Sequence, residues 1–545
     1  MLPESAPLMD AVAPPYSPAE RAPTNKWLVT VSISFGTLMG AVDSSIVNVA
    51  LPHMQGAVGA TIQQITWVST GYAVALVLLM PLTAFLGRKF GQKRVYMSCL
   101  ALFLLGSALC GTATTLPQLV AYRAVQGLGA GALQPTEQAI LRQTFPLREQ
   151  GMAMAVFGMV VMLGPALGPT LGGYIVDHWH WSWIFFINLP IGAVGLFMVA
   201  SFVHEDERIR RQNHALAEKE RRNVDWIGIA FLSVSLSTLE YFLEEGQTND
   251  WFDSTLITAC FLVSLFALTA FIVRELTAPA PVVNLRLFRD AVFSSGTLIG
   301  ALMFAMLMAN MFLLPLFMQD LLGFTATQSG LALMPRVLVM MVATPLVGRI
   351  YNHVSPRLLI AVGIVAFAVG SWQLGKLTLA SGAGDVVAAI MIQGVGFACL
   401  FVPLTTVALS KIPRHKMADA TGLNSVLRQI GGAIGLAIFA TLLDRFGAVA
   451  RVALVASVGE TDPAVHQRLV GMQQALAAGG MAPPVARRAA VAALDGVVQQ
   501  QATVISFERV FLLAGIVFLF VLPLLIFLKT DRDHTASRAE VHMEM

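Results

Sequence analysis

The sequence predicts an all-α membrane protein whose fourteen transmembrane helices form two six-helix bundles plus two inserted helices. Three observations support this prediction: an apolar composition, fourteen apolar segments of membrane-spanning length, and an internal repeat. Of the 545 residues, 56% are hydrophobic and only 12% are charged, and the mean hydropathy is +0.70. So little polar material cannot coat a soluble domain, and we therefore expect the chain to lie in lipid.

Fourteen segments are long enough to cross the hydrocarbon core, for which a helix needs about 20 mostly apolar residues. The predicted spans are 27–51, 64–86, 95–114, 117–141, 151–175, 183–203, 226–243, 256–273, 292–318, 330–350, 358–374, 386–409, 422–443 and 510–528. Basic residues are concentrated in the even-numbered connections, which places both termini in the cytoplasm by the positive-inside rule. The N-terminal tail, rich in proline, is predicted to be disordered.

Two segments recur in the same order and with a similar separation. Pro81 near the end of span 2 matches Pro345 in span 10, and Gln126 in span 4 matches Gln393 in span 12. An offset of eight spans predicts two parallel bundles related by an axis along the membrane normal, with spans 7 and 8 inserted between them. The predicted divisions are a tail at 1–26, an N-terminal bundle at 27–203, a linker with the inserted spans at 204–291, a C-terminal bundle at 292–528 and a cytoplasmic tail at 529–545.

One outer loop, 444–509, is much longer than the others. Pro463 and Pro483 predict two helix starts, and Gly479 with Gly480 predicts a break between them. We expect these amphipathic helices either to lie on the outer membrane face or to form a docking surface for a partner.

Two opposite charges lie within the apolar spans, where each costs about 3 kcal/mol even on a lenient insertion scale. Asp43 lies about 24 Å above the inner end of span 1, and Arg123 lies about 21 Å above the inner edge of the core. Matching depth predicts an ion pair that protonation of Asp43 would disrupt. The alternative is a static structural pair. Glu137 is a candidate second proton carrier, a counter-charge for cationic substrates, or an interfacial acid that offsets Arg142.

Span 5 carries a run of glycine and proline that suits both close packing and bending. The run consists of Gly164, Pro165, Gly168, Pro169, Gly172 and Gly173. Between two halves of a transporter it is expected to act as a pivot and seal, whereas in a generic membrane protein it would be a packing face. Polar residues expected to line a substrate cavity are Asn48, Gln126, Asn310, Arg336 and Gln393.

The composition and motifs also argue against several functions. The net charge is +3, but the basic residues lie in short loops, so nucleic-acid binding is not expected. The four cysteines lie in apolar runs without paired spacing and the ten histidines are scattered, so no metal site is predicted. No nucleophile with a base and no phosphate loop is present, which disfavours an enzyme.

Four segments resemble motifs of the major facilitator superfamily, specifically its fourteen-span drug:proton antiporters of the EmrB/QacA type. Residues 40–52 resemble the first-span motif, 123–129 the fourth-span motif, 164–173 the fifth-span antiporter motif, and 181–192 the EmrB-type opening of span 6. The resemblance implies proton-driven multidrug efflux across the bacterial inner membrane by rocker-switch alternating access. It requires no cofactor besides the proton gradient.

The resemblance is closest to the EmrB branch and also implies partners. These are hydrophobic or amphipathic substrates, an EmrA-like periplasmic adaptor and a TolC-like outer-membrane channel. The alternative within the same fold is a dedicated exporter of one endogenous metabolite, such as a siderophore, and an alternative of another class is a membrane receptor or scaffold.

The loop between spans 2 and 3 departs from the family pattern. The family has a glycine and an acid where this chain has Ala84 and Arg88, and that acid helps to lock the inner gate. The usual charge relay therefore lacks its acid here. The residues expected to form the gating loop are Arg88, Lys89, Gly91, Lys93 and Arg94.

Overall fold

The computed structural model describes residues 25–146, 149–204, 225–278, 282–351, 353–413, 416–458 and 463–528. The predicted tails lie outside these ranges except for Asn25 and Lys26. Asn25 caps the first helix by accepting a hydrogen bond from the Trp27 amide at 3.0 Å, so the helix begins at Lys26, one residue inside the predicted tail. Residues 205–224 of the predicted linker also lie outside the described residues.

Helices account for the secondary structure of these ranges, which contain no strand. The α-helices are α1 (Lys26–Val58), α2 (Ile62–Ile65), α3 (Trp67–Leu79), α4 (Thr83–Phe90), α5 (Gln92–Gly111), α6 (Leu116–Gly131), α7 (Leu133–Thr144), α8 (Gln150–His178), α9 (Trp183–Phe186), α10 (Asn188–Phe202), α11 (Trp226–Glu245), α12 (Thr255–Thr277), α13 (Ala291–Leu316), α14 (Ala326–Ile350), α15 (Pro356–Leu374), α16 (Ala383–Val407), α17 (Met417–Ser457), α18 (Pro463–Ala478) and α19 (Pro483–Leu519).

The prediction of an all-α membrane protein is confirmed. Eleven helices in the described ranges are long and apolar enough to cross a membrane, and α3 with α4, bent by 54°, makes a twelfth when counted as one broken span. The count of fourteen agrees with this architecture and stays a prediction.

The N-terminal bundle is held by close packing between α1 and α8. A Cβ on Gly164 would lie 2.3 Å from the Cβ of Ala41, and one on Gly168 would lie 2.5 Å from the Cβ of Ser45. Only glycine permits these approaches, which lets two long helices pack almost backbone to backbone.

The C-terminal bundle repeats this packing with α17 and α13. A Cβ on Gly431 would lie 2.5 Å from the carbonyl oxygen of Ala301, and one on Gly435 would lie 2.5 Å from the Cα of Ala305. The same kind of contact therefore joins the first and fifth helices of each predicted bundle, which agrees with the internal repeat.

The inserted helices α11 and α12 form an antiparallel pair beside the two bundles. Ser235 and Ser264 exchange hydrogen bonds to each other's carbonyl oxygens at 3.3 and 3.1 Å. At one end of the pair, Arg274 Nε contacts Asp225 Oδ2 at 2.8 Å. Helix α11 contacts both α3 and α17, so the pair touches each bundle.

The predicted outer loop contains helices, as its proline and glycine residues predicted. Helix α18 begins at Pro463 and α19 at Pro483, as predicted, with the break at Gly480 in the left-handed region at φ +95°. Two boundaries were wrong. Helix α17 continues to Ser457, and α19 runs without interruption from the predicted loop into the last span.

The reason for this continuation is contact between α17 and α19 beyond the apolar segments. Ala450 of α17 and Ala490 of α19 are buried, and Arg451 pairs with Asp495 at 2.8 Å. At 1.5 Å per residue, the 37 residues of α19 are about 55 Å long, which exceeds a hydrocarbon core of about 30 Å. The first half of α19 therefore extends the span instead of lying on the membrane face.

Candidate functional site

The predicted ion pair within the N-terminal bundle is present. Arg123 Nη1 of α6 donates to Asp43 Oδ2 of α1 at 2.6 Å, and the side chains are 1% and 0% exposed, respectively. The matching depth inferred from the two spans is thus confirmed. Because each charge neutralises the other, neither is left uncompensated in the low-dielectric interior.

Asp43 accepts hydrogen bonds from three side chains on two helices. Besides Arg123, the donors are Gln126 Nε2 of α6 at 2.8 Å and Asn188 Nδ2 of α10 at 3.2 Å, both to Oδ1. Gln126 Oε1 in turn accepts from Arg123 Nη1 at 2.7 Å. These donors occupy both carboxylate oxygens, and protonation of Asp43 would remove the charge that pairs with Arg123.

Arg123 is further fixed by the broken second span and by an aromatic ring. Its Nε donates to the carbonyl oxygen of Val68 at 3.2 Å, and its guanidinium carbon lies 4.1 Å from the ring centroid of Tyr72. The guanidinium remains stacked and hydrogen-bonded even without Asp43, but its charge would then have no counter-charge.

Asn188 is a site residue that sequence reasoning did not single out. It donates to Asp43 and also to Ser107 Oγ of α5 at 3.1 Å, so it links three helices. The sequence does contain an indication of this role, because Asn188 is a polar residue within the apolar segment 184–192, which carries the span-6 motif. An isolated amide at that depth requires a hydrogen-bond partner.

Glu137 is also buried, but it forms a separate site nearer the beginning of α1. Its carboxylate accepts a hydrogen bond from Ser34 Oγ at 3.2 Å and another from Thr37 Oγ1, both on α1. Arg142 donates instead to Gln150 Oε1 at 2.8 Å and to a backbone carbonyl, so it does not offset Glu137. Glu137 is 0% exposed, so the bundle shields its carboxylate from solvent.

An ion pair joins the gating loop of the N-terminal bundle to the C-terminal bundle. Arg88 at the end of α4 pairs with Asp419 in the first turn of α17. Arg142 at the end of α7 donates to the carbonyl of Thr405 in α16. The base that replaces the family acid thus meets an acid on the other bundle, and an ion pair joins the two bundles at this loop.

The described contacts of the other predicted gating residues lie within the N-terminal bundle. Lys89 lies 5.8 Å and 5.2 Å from the ring centroids of Phe85 and Phe90, and Lys93 Nζ donates to the carbonyl of Ala200 at 2.7 Å. Gly91 has φ +90°, which suits the turn between α4 and α5, and Arg94 is exposed.

The glycine–proline run of α8 packs within its own bundle, whereas the predicted seal would lie between the two bundles. Gly164, Gly168 and Gly172 face α1 of the same bundle, and nothing lies within 4 Å of a Cβ built on Gly173. The side chains of Pro165 and Pro169 lie outside the described set. The run is therefore a packing face in this conformation, which was the alternative to the seal.

The bundles instead meet along the first half of α8. A Cβ on Gly151 would lie 3.1 Å from Tyr351, and one on Gly158 would lie 2.5 Å from the ring of Phe401. Together with the contacts of Arg88 and Arg142, these close the side of the molecule on which α1 begins, which the charge distribution predicts to be cytoplasmic.

The predicted cavity residues do not converge on one place. Gln126 belongs to the Asp43 site, whereas Asn48 is exposed and its Oδ1 accepts from Ser69 Oγ at 3.1 Å. Gln393 of α16 lies in the C-terminal bundle and donates to Ser371 Oγ of α15 at 3.0 Å.

The two remaining candidates are buried in the C-terminal bundle. Asn310 Nδ2 donates to the carbonyl of Met306 in its own helix at 2.8 Å. The Arg336 guanidinium lies 4.7 Å from the ring centroid of Phe397.

The fold and this buried site define a class: a helical membrane transporter built from two repeated bundles. A family model described as the Major Facilitator Superfamily matches residues 33–436, and the chain therefore belongs to that superfamily. It is a multi-pass transporter and not an enzyme.

Within the superfamily the chain is of the EmrB type. It is 32% identical to the multidrug export protein EmrB of Escherichia coli (strain K12) over 508 residues, covering 92% of this chain and 95% of that protein. It is also 32% identical to the fatty acid resistance protein FarB of Neisseria gonorrhoeae, covering 91% and 94% of the two chains.

A solved structure of the superfamily shares the fold at low sequence identity. The proton:xylose symporter XylE aligns with a TM-score of 0.57 at 13% identity and covers 78% of this chain and 90% of that one.

Proposed function

We propose that this transporter is a proton-coupled multidrug exporter of the bacterial inner membrane that works by rocker-switch alternating access. The observation that carries the proposal is the Asp43–Arg123 pair at 2.6 Å, buried and surrounded by donors from α6 and α10. EmrB of Escherichia coli is called a multidrug export protein, which supports drugs as substrates.

In the proposed cycle the present conformation is closed on the cytoplasmic side. Asp43 takes up a proton from the opposite side, and Arg123 loses its counter-charge, which destabilises the junction of α1, α6 and α10. The bundles then separate at the contact between Arg88 and Asp419, and the proton leaves to the cytoplasm. Each proton that crosses 100 mV contributes about 2.3 kcal/mol to substrate export.

The outer hairpin of α17 and α19 supports an EmrA-like adaptor and a TolC-like channel as partners, since it extends beyond the membrane core. An exporter dedicated to one endogenous metabolite remains the second candidate. FarB of Neisseria gonorrhoeae is called a fatty acid resistance protein. That name specifies one class of compound, which supports the dedicated exporter.

The test uses purified protein in proteoliposomes with an imposed pH gradient and a panel of cationic, neutral and anionic dyes. The wild type is expected to move several dyes against their gradients, and Asp43→Asn is expected to move none while staying folded. Asp320→Asn, which removes an exposed carboxylate, is the matched control and should transport normally. Full pumping by Asp43→Asn would contradict the coupling role, and transport of one compound alone would favour the dedicated exporter.

A further inference from the structure

Among the described residues, the C-terminal bundle contains two buried guanidinium groups that have no counter-charge. Arg336 of α14 is 2% exposed and Arg428 of α17 is 3% exposed. In the part of the chain that the structure describes, neither side chain forms an ion pair or a hydrogen bond. By contrast, Arg123 pairs with Asp43 and Arg88 pairs with Asp419. A buried charge without a partner is destabilising, so these two require another explanation.

Both guanidinium groups lie against the same face of α16. Arg336 is 4.7 Å from the ring centroid of Phe397, and Arg428 is 5.7 Å from that of Phe401, one turn further along. Arg428 also lies 5.2 Å from the ring centroid of Phe304 on α13. Ring faces attract the cation but accept few of its N–H groups. Nε and Nη2 of Arg336, and Nε and Nη1 of Arg428, are left without acceptors.

Further unpaired groups lie next to Arg428 on the same helix face. Asn424 and Ser425 precede Arg428 by four and three residues, the spacing at which helix side chains are neighbours. They are 3% and 2% exposed, and Asn424 Nδ2 and Ser425 Oγ have no hydrogen-bond partner among the described residues. Nitrogen donors thus predominate among the unpaired groups around Arg428.

The surroundings of this cluster are apolar and adaptable. Met308 of α13 lies 3.0 Å from a Cβ built on Gly432, one turn beyond Arg428, and Phe304 lies 3.8 Å from it. Phe401 packs against Phe157 of α8 with ring centroids 6.0 Å apart and ring planes tilted by 33°, so the cluster adjoins the contact between the bundles. Methionine fits varied hydrocarbon shapes.

We propose that this cluster is a binding site for lipophilic anions, and that the exported substrates include carboxylates with an extended apolar body. Arg428, Asn424 and Ser425 bind the anionic head group, and Arg336 supplies a second positive charge. A carboxylate accepts up to four hydrogen bonds and thus satisfies several of these groups at once. As a statement about export, the inference rests on the proposed function. As a statement about binding, it stands alone.

The binding test compares three probes of equal chain length and different head-group charge: dodecanoate, dodecanol and dodecyltrimethylammonium. Dissociation constants are measured by calorimetry on the full chain in lipid nanodiscs, with empty nanodiscs as the blank for lipid partitioning. Dodecanoate is expected to bind at least about ten-fold more tightly than either other probe, equivalent to about 1.4 kcal/mol. Equal or tighter binding of the cationic probe would overturn the proposal.

Variants then locate the site. Arg428→Gln is expected to weaken dodecanoate binding about ten-fold or more and to leave dodecanol unchanged, and Arg428→Lys should recover part of the loss. Arg445→Gln, on the same helix at an exposed position, is the matched control and should bind as the wild type does. Unchanged dodecanoate binding by a folded Arg428→Gln would contradict the assignment, and Asn424→Ala provides the same test if that variant does not fold.

The two proposals fail in distinguishable ways. Asp43→Asn should still bind dodecanoate although it does not pump, because Asp43 lies in the other bundle. Selective binding by a wild type that moves nothing under a pH gradient would refute the exporter and leave the anion site. Proton-driven transport of cations alone, without dodecanoate binding, would refute the anion site and leave the exporter.

Discussion

Asn188 links the candidate proton site to two neighbouring helices through a single side chain. Its amide donates to Asp43 at 3.2 Å and to Ser107 at 3.1 Å. Since a hydrogen bond to a charged group contributes about 1.5–3 kcal/mol, its removal weakens the junction of α1, α5 and α10.

Asn188→Ala is therefore expected to reduce the initial rate of dye efflux about ten-fold, which corresponds to about 1.4 kcal/mol. The rate is measured in proteoliposomes under an imposed pH gradient. Asn310→Ala, which removes another buried amide that does not contact Asp43, should transport at the wild-type rate. A wild-type rate in Asn188→Ala would show that this amide has no influence on transport.

At the scale of single helices, α8 packs against two different neighbours along its length. Its second half packs through Gly164 and Gly168 onto α1, and its first half meets the other bundle at Gly151 and Gly158. Glycine is needed in both halves because backbone or side-chain atoms of the neighbour occupy the space of a Cβ.

Gly168→Val is expected to destabilise the protein by about 1–3 kcal/mol, the usual effect of overpacking, because its side chain would overlap Ser45. The measurement is the thermal unfolding midpoint in detergent. Gly173→Ala is the control, since nothing lies within 4 Å of its Cβ, and it should unfold at the wild-type temperature. A wild-type midpoint for Gly168→Val would mean that α1 and α8 are not held together here.

At the scale of the whole molecule, one ion pair connects the bundles on the closed side. Arg88 and Asp419 are separated by 331 positions in the chain, and both are largely buried. Breaking such a pair leaves a buried charge, which is more destabilising than losing an exposed pair.

Arg88→Asp alone is expected to reduce efflux strongly because two acids then face each other across the bundle contact. The double variant Arg88→Asp with Asp419→Arg should restore a substantial part of the activity. Efflux is measured for each single variant and the double variant as a mutant cycle. Lys89→Asp, one residue away and exposed, is the control for charge reversal and should cause a small effect. Additive losses in the cycle would mean that the pair does not lock the bundles.

The sequence alone determined the features that depend on depth and on a helix's own periodicity. Apolar length defined most spans, the repeat of Pro81 and Gln126 implied two bundles, and matching depth anticipated the contact of Asp43 with Arg123. These features can be read from one helix at a time, because hydropathy and the 3.6-residue period describe a single helix in its solvent.

Only the tertiary structure decided which helix faces meet. It brought Asn188 to Asp43, paired Arg88 with an acid on the other bundle, and moved the closed contact to the first half of α8. It also left Arg336 and Arg428 without a counter-charge. These outcomes depend on packing between segments far apart in the chain, and neither hydropathy nor periodicity specifies which neighbour a given face will contact.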